Sequence, residues 1–212
     1  MNDIKKLLDG FKIFKATTFE KNKEIIKHLI VQEHKPSIMV ISSCDIKISP
    51  TEIFSVNPGE FFTIFNIGGL IPKFNTEGIS GIISALEYGV MKLEVQTILV
   101  LSNTKNISSK MIMSDNFEKE KFFSPAMKTW LSIASEARSV VLKDLVDKNK
   151  EEQENAFEKE ALVISVRNLL TYPYIKERVD NDKLKILGWQ FDVGSGEIRA
   201  LNSNNGNFEI LS

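Results

Sequence analysis

At 212 residues the chain is long enough for one sizeable domain with its own core, and 42% hydrophobic with 26% charged residues is ordinary for a soluble globular protein. A balance of 27 basic and 28 acidic residues leaves a net charge of -1, which removes the electrostatic case for a nucleic-acid surface. A single cysteine, Cys44, excludes an intramolecular disulfide, the opening residues lack the apolar run of a signal peptide, and no apolar stretch is long enough to span a bilayer. A cytoplasmic protein with no membrane attachment is therefore expected.

In chain order, Ile13, Phe14, Phe19, Ile25, Ile26, Leu29 and Ile30 predict helix over 12–32, the later residues on one face. Pro36 separates it from Ile38-Met-Val-Ile41, a run typical of a buried parallel strand. After the turn signal Asn57-Pro-Gly59 comes a second strand over 60–65. Helix over 78–92 points Ile79, Ile82, Ile83, Leu86, Val90 and Leu93 inward, and 96–101 is a third buried strand. Helix follows over 127–144, then the charged stretch Lys148-Asn-Lys-Glu-Glu-Gln-Glu154, read as a solvated helix face or connection. Helix over 158–170 stops at Pro173, Leu184 to Asp192 is a fourth strand, and the turn Val193-Gly-Ser-Gly196 leads to a hairpin partner over 197–201. Strands alternating with helices predict an α/β fold with a mostly parallel sheet and an antiparallel strand at its end, in a single domain over 1–212. Residues 1–35 form an N-terminal helical arm, and the polar tail 202–212 is expected to be loosely held.

The segment Pro36-Ser-Ile-Met-Val-Ile-Ser-Ser-Cys-Asp-Ile-Lys-Ile-Ser-Pro50 resembles the first active-site strand and loop of the β-class carbonic anhydrases, P-x-x-x-x-I-x-C-x-D-S-R-x-x-P. Thr97-Ile-Leu-Val-Leu-Ser-Asn-Thr-Lys-Asn106 resembles the family's I-x-V-x-G-H-S-x-C-G-G. Asn57-Pro-Gly-Glu60, Asn66-Ile-Gly-Gly-Leu-Ile-Pro72, Ser84-Ala-Leu-Glu-Tyr-Gly-Val90, Asn168-Leu-Leu-Thr-Tyr-Pro-Tyr174 and Leu184 to Gly196 resemble further family segments in the same order. The resemblance runs from about His34 to Leu201. It implies a parallel core sheet in the order 2-1-3-4 with a fifth strand added, a homodimer or higher homo-oligomer, and a pocket where the strand order reverses.

The same resemblance places Ser43, Asn103 and Asn106 on the zinc-ligand Cys, His and Cys, with Asp45 on the family's Asp and Lys47 on its Arg. Family members use zinc to bring the pKa of a bound water to about 7, so that hydroxide attacks CO₂. Serine is not ionised near neutrality and an amide oxygen is a weak, hard donor, so these three residues imply no metal and no cofactor. Cys44 is the neighbouring thiol, but strand alternation turns it away from Ser43, and a buried small hydrophobe is the favoured reading. His34 falls on a Gln that lines the family's pocket. Asp45 and Lys47 form a remnant catalytic dyad, expected as an ion pair, although lysine lacks arginine's bidentate fork. With Gly68 they complete a small polar pocket able to hold an anion such as bicarbonate.

Two functions follow from the resemblance. One is a zinc-free homologue, a pseudoenzyme acting as a binding, regulatory or structural protein. The other is a carbonic anhydrase hydrating CO₂ through a rebuilt or metal-free site. Fold likeness alone does not choose between them.

Overall fold

The computed structural model describes residues 2–32, 35–75, 80–114, 117 and 123–211. Its centre is a six-stranded sheet in the order β2-β1-β3-β4-β5-β6, formed by β1 (Ile38–Ser43), β2 (Phe61–Asn66), β3 (Thr97–Asn103), β4 (Lys185–Phe191), β5 (Ile198–Leu201) and β6 (Phe208–Ile210). The first four strands are mutually parallel and the last two antiparallel. Ser43 pairs with Asn66, and Asn103 with Phe191, so the tips of β1, β2, β3 and β4 end together.

Alternation along β1 and β3 splits the core between the two sheet faces. Met39, Ile41, Ile98 and Val100 pack with Leu86, Leu162 and Tyr172, while Val40, Leu99 and Leu101 pack with Phe54, Trp189 and Phe191. The first face is covered by α4 (Gly81–Glu87), which runs on into a π-helical turn at Tyr88–Lys92, and by α8 (Lys150–Leu169) and α9 (Pro173–Asp180). A separate apolar cluster joins α5 (Ile107–Ile112), α6 (Pro125–Leu131), α7 (Ser135–Asp144) and α8 through Ile112, Leu131, Ala137, Val141 and Phe157.

The expected sheet order holds, and several local expectations are corrected. The helix expected over 12–32 begins at Asn2, as α1 (Asn2–Phe14), passes through a π-helical turn at Lys15–Phe19, and ends in α2 (Lys23–Val31). The helix expected over 127–144 is two helices, because a 3₁₀ turn at Ser132–Ala134 intervenes. The charged stretch at 148–154 is the start of α8: Asn149 accepts from Glu152 N, and the Glu152 carboxylate accepts from Asn149 N, a capping box. Pro173 both ends α8 and begins α9, since proline at the first turn forfeits no helical hydrogen bond. The short α3 (Pro50–Ile53) has its own capping box on Ser49 and Glu52. The tail expected to be loose instead supplies β6, with Arg199 opposite Ile210. Residues 78 and 79 of the helix expected over 78–92 lie outside the described residues. Among the described residues no helix is long and apolar enough to cross a membrane.

Candidate functional site at the carboxyl tips of β1 and β3

The last residues of β1 and β3 are as buried as the strand interiors but polar: Ser42, Ser43 and Asn103 are 0–1% exposed, and Asn106, beyond β3, is 2% exposed. The Ser43 hydroxyl donates to Asp45 Oδ1 and accepts the Gly68 N–H at 3.1 Å. Asp45 Oδ2 accepts the N–H of Ser108 in the first turn of α5 at 3.0 Å, where a carboxylate meets unpaired helix amides. Asn103 Nδ2 donates to the Thr104 carbonyl at 3.1 Å, and Asn106 Nδ2 donates to the Asn103 carbonyl at 3.0 Å.

Gly68 and Gly69 bring a 3₁₀ turn at Ile67–Gly69 against the tip of β1. Gly69 has φ +62°, and a Cβ there would sit 3.3 Å from Ser43 N and 3.4 Å from Ser42 C. The left-handed backbone and the close approach both call for glycine.

The structure thus brings Ser43, Asp45 and Gly68 into one hydrogen-bonded group and Asn103 with Asn106 into another. It does not form the expected dyad. Asp45 and Lys47, both among the described residues, make no ion pair; the exposed Lys47 ammonium donates to the Lys105 carbonyl at 2.9 Å. Both Asp45 oxygens are already held by the Ser43 hydroxyl and the Ser108 amide, and a lysine lacks the fork that would compete for them. Cys44 is exposed rather than buried, because it follows the last paired residue of β1 and its side chain leaves the sheet. His34 lies outside the described residues.

One buried carboxyl at the candidate site escaped the sequence reading. Glu158, on α8, is 3% exposed, and its Oε1 accepts the Asn106 N–H at 3.0 Å. Burial pushes this carboxyl up to about 7, with the Asn106 amide pulling the other way. The signal was present: Glu158 begins the inward stripe Ala161, Leu162, Ser165 and Leu169, spaced by three and four residues. Asn106, Ser108 and Glu158 border a small cavity of about 20 Å³ behind the tips.

The donor set does not fit zinc. A hydroxyl committed to a carboxylate and two neutral amides cannot supply the soft or imidazole ligation that a tetrahedral zinc site requires. Among the described residues no group of three His, Cys, Asp or Glu side chains comes together to hold a metal ion.

A sheet of order 2-1-3-4 with a polar cluster at the point where strand order reverses defines an open α/β fold whose buried polar groups gather at its topological switch point. The family model described as carbonic anhydrase matches residues 38–198. "Beta carbonic anhydrase 3" of Arabidopsis thaliana is 31% identical over 198 residues, covering 92% of this chain and 76% of that protein. "Carbonic anhydrase" of Synechococcus elongatus is 26% identical over 199 residues, covering 94% and 72%. Among solved structures, the β-carbonic anhydrase CcaA superposes with a TM-score of 0.91 at 25% identity, over 100% of this chain and 93% of that one. A tetrameric β-carbonic anhydrase from Sordaria macrospora gives 0.83 at 20% identity, over 95% and 98%. The chain belongs to the β-carbonic anhydrase family.

Proposed function

We propose that this family member has exchanged its metal centre for a neutral, hydrogen-bonded polar patch, and that it acts as a binding or regulatory protein rather than as a hydrator of CO₂. The observation that carries this reading is the set Ser43, Asn103 and Asn106, which the resemblance aligns with the zinc ligands. Each of the three makes hydrogen bonds within the chain. Without a metal, nothing at the tips brings a water's pKa near 7, and a general base such as Asp45 contributes only about 10²–10⁴-fold. A bicarbonate ligand has weaker support. The two amide NH₂ groups already donate to backbone, which leaves the exposed Lys47 as the cation for an anion to meet.

The active reading draws its support from the relatives, which carry the name carbonic anhydrase, and from the retained Asp45. Assembly as a homo-oligomer is part of the proposal. Ile4, Leu7, Leu8 and Phe11 are 56–74% exposed along one side of α1, a stripe that a second copy would cover.

One preparation tests these points together. The expected results are no stoichiometric zinc by elemental analysis, stopped-flow CO₂ hydration at the buffer background for both the parent and Asp45→Ala, and sedimentation above the monomer mass. One zinc per chain, or hydration that falls in Asp45→Ala, returns the chain to the enzymes. A monomer removes the oligomer.

A further inference from the structure

The apolar face of α1 is not buried by its own chain. No residue of 3–32 is buried, and Ile4, Leu7, Leu8, Phe11 and Phe14, spaced by three and four along one face, are 45–74% exposed. A helix of 13 residues is marginal in water by itself, and most helical stability in proteins comes from packing such a face. The arm therefore calls for a surface outside the chain.

The body of the molecule carries a surface that fits it. Beside β2, the outermost strand of the sheet, an open groove of about 650 Å³ is lined by Ile64, Phe65, Ile67, Ile82, Met127 and Trp130. Phe65 is 48% exposed there. None of the described residues lining the groove is charged, so an apolar stripe enters it without burying an unpaired charge. Among the described residues no strand lies on the outer side of β2, and such edges are ones that native proteins cover.

The groove adjoins the polar tips. Ile67 and Gly68 are consecutive in one 3₁₀ turn. The Ile67 carbonyl accepts from Trp130 Nε1 at 2.9 Å, and the Gly68 N–H donates to Ser43 Oγ at 3.1 Å. Whatever lies in the groove rests on the turn that holds Ser43.

A second copy of this chain is the occupant that uses both features at once. A small apolar molecule in the groove leaves the arm uncovered, and a membrane surface under the arm leaves Phe65 and the groove in water. A stable interface buries roughly 1,600 Å² in total, and a two-fold exchange contributes two stripes and two grooves toward it.

We propose that α1 of each chain seats in the groove beside β2 of a second copy, reciprocally, so that each arm walls the outer side of the other copy's polar tips. This inference rests on the homo-oligomer reading above and assigns its surface.

The test is sedimentation equilibrium of the full chain, comparing the parent with Leu7→Glu/Phe11→Glu on the arm and with Phe65→Glu at the groove. All three side chains are exposed in the single chain, so both variants are expected to fold, which cooperative urea unfolding checks. Each variant should associate more weakly than the parent by on the order of 100-fold or more. Mixing the two variants is the decisive step. The mixed pair sets one intact arm against one intact groove, so it should associate more tightly than either variant alone and less tightly than the parent. A parent that associates while either variant matches it, or a mixture no tighter than its components, would overturn the exchange and leave the homo-oligomer reading standing. A monomeric parent overturns both, and cosedimentation of that monomer with phosphatidylglycerol vesicles would give the stripe to a membrane surface instead.

Discussion

Along β3, Ile98, Leu99, Val100 and Leu101 are 0–4% exposed, and so is Asn103 at the tip, at 0%. Burial is the same in the two regions and the chemistry is opposite. In the body of the sheet each buried side chain is apolar and finds apolar neighbours on its own face. At the tips Ser43, Asn103 and Asn106 are satisfied by bonds to backbone and to Asp45, yet Asn103 Oδ1, Asn106 Oδ1, Ser108 Oγ and Glu158 Oε2 remain unpaired. The body is made of groups that gain by leaving water. The tips hold groups that lose by it, and their burial makes structural sense where something other than packing is being served.

The largest expected effect lies in the body. Ile98→Ala removes a side chain that is 0% exposed from β3, which is paired on both sides by parallel strands. The expected loss is about 2–5 kcal/mol, read from the urea midpoint, because the cavity adds to the lost transfer energy. A loss under about 1 kcal/mol would mean that the core is loosely packed, and the contrast with the tips would weaken.

The body was also the legible region. Ile38 to Ile41 and Gln96 to Leu101 are short apolar runs bounded by turn signals, and such runs become buried parallel strands. The misses have particular causes. Phe208-Glu-Ile210 is too short and too polar to register as a strand; it is held by pairing with β5 after a turn in which Gly206 has φ +74°. The apolar spacing of Ile4, Leu7, Leu8 and Phe11 was helical in the sequence, but an exposed stripe is not distinguishable there from a core-facing one. At the tips, residue types pointed to the lost soft donors, whereas the pairing of Asp45 with α5 rather than with Lys47 depends on where the Ser108 amide lies in space. Glu158 was given no role of its own in the sequence reading, although its place at the head of the inward stripe of α8 was there to be read.

The second effect, from Glu158, sharpens the contrast by giving it a pH signature. This carboxyl sits near about 7 in the folded chain, above the ordinary glutamate value of about 4.3. Below pH 4.3 it is protonated in both states and burial carries no charge penalty. Between about 4.3 and 7 the folded chain binds more protons than the unfolded one, so stability falls as pH rises, by a total on the order of 3 kcal/mol, and then levels. Urea unfolding of parent and Glu158→Gln across this window should show the decline in the parent and its loss in the variant. Parallel curves would mean that water or a hydrogen-bond donor reaches Oε2 and that the tips are less dry than the body.

The smallest effect concerns the hydrogen bonds at the tip of β1. Ser43→Ala leaves the Gly68 N–H without its acceptor and Asp45 Oδ1 without its donor, both part-buried. The expected loss is about 1–3 kcal/mol, since stranding a buried polar partner costs more than the net worth of the bond that held it. Ser43→Cys is the informative companion, because it restores the soft donor while keeping a weak hydrogen-bonding group. With Asn103 and Asn106 unchanged, one thiolate and two amides remain a poor zinc set, so the variant should be as metal-free as the parent while recovering only part of the stability. Stoichiometric zinc in Ser43→Cys would show that the tips are one substitution from a metal centre, and that their chemistry differs from the relatives' by far less than the residue types suggest.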